Sequence, residues 1–262
     1  MGIVAEAALR RFSLDGRTAV VTGGGSGLGA AAAVALAGYG ARVAVLDKRD
    51  EAAAVTVARI GDAARAYACD ISDQAEVEAV IAAVRRDLGP ITILDNNAAL
   101  HLGGGRGDEP CAGLANDVWD SILDVNLNGL LYVTRAVLPD MLAAGRGSII
   151  NLSSLVGGVL GSSNTAYATT KAGIIGFTRA LVVGHAGTGI RANVICPGFL
   201  ETPMSVAGLS NADDRQRYTA AIPAGRAGVP EDIAGLVVFL ASDASSYVNG
   251  ALITLDGGTS LL

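Results

Sequence analysis

Two residues of this chain are spaced to move a proton. Tyr167 and Lys171, in the run Tyr167-Ala168-Thr169-Thr170-Lys171, stand at i and i+4, which puts both side chains on one face of a helix. A phenol titrates near pH 10 and exchanges protons poorly near neutrality unless its anion is favoured. An ammonium one turn away does that. The same spacing also occurs on exposed helices with no chemistry to do, so the surroundings decide. A second run, Thr22-Gly23-Gly24-Gly25-Ser26-Gly27-Leu28-Gly29, satisfies G-x-G-x-x-A at Gly25, Gly27 and Ala30. Glycines let backbone N–H groups approach a pyrophosphate, and the N-terminus of a following helix favours its charge. A glycine-rich run can equally be a tight turn. Asp47 lies 18 residues after Gly29. A carboxylate there accepts hydrogen bonds from adenosine ribose hydroxyls and repels a 2′-phosphate, which selects NAD over NADP. Lys48 and Arg49 beside it carry the opposite preference.

The elements that must position these groups are legible as an alternation. Short runs at Arg17–Thr22, Ala41–Leu46, Ala63–Cys69, Ile91–Asp95, Gly147–Leu152, Ile190–Ile195 and Ala251–Leu255, all but Ala63–Cys69 holding β-branched residues, read as strands. Ala- and Leu-rich stretches between them read as helices: Gly27–Tyr39, Asp50–Ala58, Asp73–Leu88, Asn116–Ala143 with a break near Asn128-Gly129, Thr165–Ala186 and Pro230–Ala241. Asp73 is a suitable N-cap. This alternation predicts an α/β chain, a doubly wound parallel sheet of about seven strands with helices on both faces. The glycine run then falls between the first strand and the first helix, where a dinucleotide loop belongs. We expect an N-terminal extension over residues 1–13 and a single domain over 14–262. Two irregular segments, near 100–117 and 198–228, follow strands closely and are expected at the substrate entrance. The first holds Gly103, Gly104, Gly105, Arg106, Asp108 and Glu109, a composition that suggests mobility. His101, just after the fourth strand, is placed where it could face a substrate.

Composition narrows the partner classes. The chain has 262 residues, of which 51 % are hydrophobic and 17 % charged, with a net charge of −6. That describes a globular chain without the basic patch a nucleic-acid surface needs. No apolar stretch reaches the roughly 20 residues of a membrane span, and the N-terminus lacks the order of a signal peptide, so neither nucleic acid nor membrane is an expected partner and the cytoplasm is the expected compartment. Cys69, Cys111 and Cys196 are odd in number and widely spaced, which suggests neither a disulfide framework nor a metal site.

From Leu14 to Ser260 the chain resembles the short-chain dehydrogenase/reductase family, in its form of about 250 residues with a single Rossmann-fold domain. The resemblance rests on ordered motifs: the glycine run Thr22–Gly29; Cys69-Asp70-Ile71; Asn96-Asn97-Ala98-Ala99; Val125-Asn126-Leu127; Asn151-Leu152-Ser153-Ser154; Tyr167–Lys171; Pro197-Gly198 with Thr202 downstream; and Asp256-Gly257-Gly258. It implies a catalytic set. Tyr167 exchanges the proton, Lys171 lowers its pKa and holds the nicotinamide ribose, Ser154 holds the substrate oxygen, and Asn126 holds a water leading from Lys171 to solvent. It also implies cofactor contacts from Gly23, Ser26, Gly27, Leu28 and Gly29, from Asp47, Asp70 and Ile71, from Asn97 and Ala98, and from Pro197, Gly198 and Thr202. A homo-oligomer, often a tetramer, is implied as well.

Three readings follow. The first is an NAD-dependent oxidoreductase acting on a small secondary alcohol or ketone. The second is an NADP-dependent 3-oxoacyl-thioester reductase, which Lys48 and Arg49 favour and Asp47 opposes. The third is a dinucleotide-binding sensor without catalysis, which the retention of both Tyr167 and Lys171 opposes.

Overall fold

The β-branched runs become strands because burial on both faces suits branched side chains in a parallel sheet. The computed structural model describes residues 8–103, 105, 107–206 and 212–262. Its strands are β1 (Thr18–Thr22), β2 (Arg42–Asp47), β3 (Ala64–Ala68), β4 (Ile91–Asn96), β5 (Gly147–Leu152), β6 (Ile190–Pro197) and β7 (Leu252–Leu255). They form one seven-stranded sheet in the order β3-β2-β1-β4-β5-β6-β7, and every neighbouring pair is parallel. The helices are α1 (Gly27–Gly38), α2 (Asp50–Ile60), α3 (Gln74–Leu88), α4 (Asn116–Leu123), α5 (Leu130–Ala144), α6 (Thr165–Gly184), α7 (Ala212–Ala220) and α8 (Ala234–Ala241).

Each sheet face has its own core. On one side Val21, Val45, Ile93, Ile150 and Ile195 pack under Leu36 of α1 and Val237 and Leu240 of α8. On the other, Val20, Leu46, Leu94 and Ile149 pack under Val77 and Ile81 of α3 and Val133 and Val137 of α5. Each such side chain contributes about 1.5–3 kcal/mol of burial. The predicted cap on α3 is formed: the Asp73 carboxylate accepts from the N–H groups of Ala75 at 2.9 Å and Glu76 at 3.1 Å. The described end of the N-terminal segment is docked, with Arg11 donating to the Asp243 carbonyl at 2.9 Å and its own carbonyl accepting from Ala244. No helix among the described residues is long and apolar enough to cross a membrane.

Two expectations change. The break expected near Asn128-Gly129 is instead a π-helical turn over Asp124–Gly129 that joins α4 to α5 without interruption. A Cβ on Gly129 would lie 2.8 Å from Ile71, so the glycine lets the loop after β3 pack against the helix. The segment 198–228, read as irregular, carries a helical turn at Pro203–Val206 and the nine-residue α7. The strand order reverses between β1 and β4, since β2 lies beyond one and β5 beyond the other. The C-terminal ends of β1 and β4 therefore border the crevice where an open α/β sheet receives ligands.

Candidate active site

The glycine run leaves β1 at that crevice. Gly23 and Gly27 take φ of +62° and +52°. A Cβ on Gly23 would lie 2.8 Å from the Ala98 backbone, and one on Gly29 would collide with the Asn97 amide and the Gly23 carbonyl. Asn97 fastens the loop, its side-chain amide donating to the carbonyls of Thr22 at 3.0 Å and Gly23 at 3.2 Å. The Thr22 hydroxyl accepts from the N–H groups of Asn97 and Ala98, both at 3.1 Å. Ser26 caps α1 in extended backbone and makes no side-chain cap bond, and the first turn holds no acidic residue. The helix N-terminus thus keeps its donors and its positive end for an anion. Leu28 packs against the core behind the loop.

Asp47 sits at the end of β2 against this loop. Its carboxylate accepts from the N–H groups of Gly25 at 3.1 Å and Arg49 at 3.0 Å. Asp70 lies across the same strand ends, where Lys48 forms a 2.5 Å ion pair with it. That pairing and two bonds from Ser72 hold the Asp70 carboxyl below its usual range despite some burial, which raises it. Ile71 is buried beside it. On the far side, Pro197 ends β6, and the Gly198 N–H donates to Leu255 at 3.0 Å. Thr202 borders Gly27, a Cβ on which would meet the threonine at 3.4 Å. The cofactor candidates from both halves of the sequence therefore line one crevice.

The proton-moving residues meet at the end of β5. The Ser154 side chain lies at the Tyr167 phenol and favours its anion. The Lys171 ammonium lies 5.4 Å from the centroid of the Tyr167 ring and donates to the Leu152 carbonyl at 2.8 Å. The expected lowering of the phenol pKa by Lys171 is not found. Burial pushes Tyr167 up to about 12, and Ser154 opposes that only in part. The cause is geometric, because the Lys171 ammonium is turned toward a backbone carbonyl. Burial in turn brings Lys171 down to about 8. Ser153, one residue earlier, spends its hydroxyl on the Lys171 carbonyl at 2.7 Å, which leaves Ser154 as the serine facing Tyr167.

Asn126 lies in the π-helical turn, a distortion frequent at functional sites. Its side chain accepts from the Leu100 N–H at 2.7 Å and donates to the Leu100 carbonyl at 3.0 Å and the Thr170 hydroxyl at 3.1 Å. It thus ties the loop after β4 to the residue next to Lys171. That loop also reaches Tyr167 directly. The His101 ring packs edge-on against it at 4.5 Å between centroids. Asp108, buried, accepts from the N–H groups of Ala166 and Tyr167. Gly104 and Arg106, part of the loop read as mobile from its composition, lie outside the described residues. On the opposite rim, Phe199 stacks on Tyr218 of α7 at 5.5 Å, and Arg215 pairs with Glu201.

Comparison with known proteins follows this geometry. The family described as enoyl-(acyl carrier protein) reductase matches residues 23–260. The D-threitol dehydrogenase of Mycolicibacterium smegmatis is 39 % identical, over 94 % of each chain. The 3-oxoacyl-(acyl-carrier-protein) reductase of Thermotoga maritima is 37 % identical, over 94 % of this chain and 98 % of its own. A gluconate 5-dehydrogenase from Burkholderia cenocepacia, solved in complex with NADP and tartrate, superposes with a TM-score of 0.89 at 35 % identity, covering 97 % of this chain and 99 % of that one.

Proposed function

The chain belongs to the short-chain dehydrogenase/reductase family, an oxidoreductase acting on alcohol groups, and we propose that it oxidises a secondary alcohol on a polyol or sugar-acid skeleton, with NAD as hydride acceptor and Tyr167 as the proton acceptor. The observation that carries this reading is the meeting of three side chains, with Ser154 at the Tyr167 phenol and Lys171 packed against the same ring.

The crevice fits a dinucleotide. Gly23 and Gly29 pack against Asn97, Ala98 and the loop backbone too closely for a Cβ, which fixes the loop at the crevice, and Ser26 makes no side-chain cap bond to the N-terminus of α1. When bound, the nicotinamide supplies the hydride acceptor. The residues of the chain do the rest. Gly23, Ser26, Gly27, Leu28 and Gly29 would hold the pyrophosphate end, Asp47 the adenosine ribose with Asn97 and Ala98 beside it, Asp70 and Ile71 the adenine side, and Pro197, Gly198 and Thr202 the nicotinamide end. Ser154 orients the substrate oxygen, Tyr167 takes its proton during oxidation, and Lys171 favours the phenolate so formed once its ammonium turns from the Leu152 carbonyl toward the ring oxygen. Asn126 anchors the far side of Lys171 through Thr170. The polyol skeleton is suggested by the threitol and gluconate dehydrogenases.

Asp47 supports NAD. Its carboxylate is fixed at the loop by two backbone N–H groups, while Lys48 is engaged by Asp70 and Arg49 pairs with Asp47 itself. A second reading, NADP-dependent reduction of a 3-oxoacyl thioester, draws on the Thermotoga relative. One set of assays separates the two. Titration of the pure protein is expected to show NADH binding at least tenfold tighter than NADPH, about 1.4 kcal/mol, and NADH is expected to form from NAD with members of a panel of polyols and sugar acids. Tighter NADPH binding with turnover only of 3-oxoacyl thioesters would replace the first reading with the second.

A further inference from the structure

The N–H groups that open α6 need partners from outside the helix. The residue at its N-cap, Asn164, does not supply one. Its side-chain amide lies 3.0 Å from Nε2 of His101, and it makes no cap bond. The cap comes instead from 58 residues upstream: one oxygen of the Asp108 carboxylate accepts from Ala166 at 3.0 Å and the other from Tyr167 at 2.9 Å. Asp108 is only 4 % exposed, so water competes little with these charge-assisted bonds. Its own N–H donates to the Leu102 carbonyl at 2.9 Å, which folds the loop back on itself and fixes the carboxylate's aim.

We propose that Asp108 is a positioning residue for Tyr167, coupling the substrate loop after β4 to both the placement and the acidity of the phenol. The proposal rests on Tyr167 being the acid–base group. The loop holds this residue at two points, the backbone through Asp108 and the ring through His101 at 4.5 Å. Held this way, Tyr167 meets Ser154 in a fixed pose, and small errors of placement in such a pair are costly to rate. The charge of Asp108 also matters. The positive end of a helix favours an anion in its first turn, and Tyr167 sits in that turn. A carboxylate there offsets the effect and holds the phenol toward its neutral form. The titratable and charged groups facing Tyr167 are Lys171 on its own helix, His101 and Asp108 on the loop after β4, and, through its contact with the Lys171 charge, Cys196 at the end of β6.

The test compares wild type, Asp108→Ala and Asp108→Asn in the full chain. Asp108→Ala is expected to lower kcat at least tenfold while the Kd for NADH, read by fluorescence titration, changes less than twofold. Asp108→Asn keeps one acceptor oxygen and is expected to recover part of that loss; it carries the test if the alanine variant does not fold. In both variants the apparent pKa of kcat/KM for oxidation is expected to fall, because a negative charge beside the phenol is gone. A cap that merely stabilises the helix would lower the melting temperature and leave kcat and the pH profile of the folded enzyme unchanged; that result overturns the proposal while leaving the role of Tyr167 intact. Wild-type protein that binds NADH but turns over no alcohol or ketone would instead remove the reading on which the proposal stands.

Discussion

Replacing Tyr167 with Phe is expected to lower kcat about a thousandfold, within the usual range for loss of a general acid–base group and equivalent to about 4 kcal/mol of barrier. The substitution is clean for structural reasons. Phe keeps the ring on which His101 packs and beside which Lys171 lies, and the backbone N–H that Asp108 caps is untouched. Only the hydroxyl beside Ser154 is lost. The glycine loop and Asp47 lie on other elements, so NADH affinity is expected to stay within about threefold, near the tolerance for independent sites. The wild-type pH profile carries the same logic. Burial holds the phenol neutral, with its pKa near 12, and brings the neighbouring ammonium to about 8. Oxidation needs a group able to accept the alcohol proton, so kcat/KM for oxidation should climb as pH rises through the alkaline range. Reduction, which needs the neutral phenol, should fall over the same range. Stopped-flow formation of NADH by both proteins across that range checks the two statements together. A Tyr167→Phe enzyme within tenfold of wild type, or an oxidation rate that falls with rising pH, would assign the proton to another group.

The residues legible in the sequence were those whose function and local pattern coincide. The glycines of residues 22–29 announce a backbone approach, Asp73 announces a helix start, and the β-branched runs announce buried strands, each within a few positions of itself. Six of the seven strands were legible for that reason, while β3, which holds no β-branched residue, was legible from its place in the alternation. What stayed hidden depends on contacts far apart in the chain. Asp108 reads as one more charge in a glycine-rich loop because its partners lie 58 and 59 positions away. The orientation of Lys171 was hidden for a related reason. Spacing places it beside Tyr167, but the carbonyl of Leu152 at a strand end draws its ammonium. Even the break read near Asn128-Gly129 was a true signal of altered backbone. The helix absorbs it as a π turn because α5 and the loop after β3 hold the chain on both sides.

Asp95 is the clearest conflict between local pattern and environment, and it yields the largest expected change in stability. It stands in β4 between Val21 of β1 and Ile150 of β5, on a sheet face built of Val and Ile. It is 1 % exposed, and among the described residues neither carboxylate oxygen has a hydrogen-bond partner. Burial alone pushes its pKa up to about 8, whereas in the unfolded chain it titrates near 3.9. The folded state therefore holds a proton that the unfolded state releases as pH rises between those values. The contribution to stability is full below about pH 4 and is lost progressively up to about pH 8. At pH 7 this amounts to about 4 kcal/mol at most, from roughly three pH units at 1.36 kcal/mol each. Asp95→Val matches the neighbouring side chains and removes the penalty, so it is expected to raise stability at pH 7 by at least about 2 kcal/mol, or roughly 4–8 °C in Tm for a domain of this size. The difference from wild type should narrow by about 2.7 kcal/mol between pH 7 and pH 5, two pH units at 1.36 kcal/mol each and the sign required of a carboxyl whose pKa is raised by folding. Urea unfolding of both proteins at the two pH values measures it. A variant no more stable than wild type at pH 7, or a gap that widens toward pH 5, would show that Asp95 is charged and well solvated or paired within the sheet.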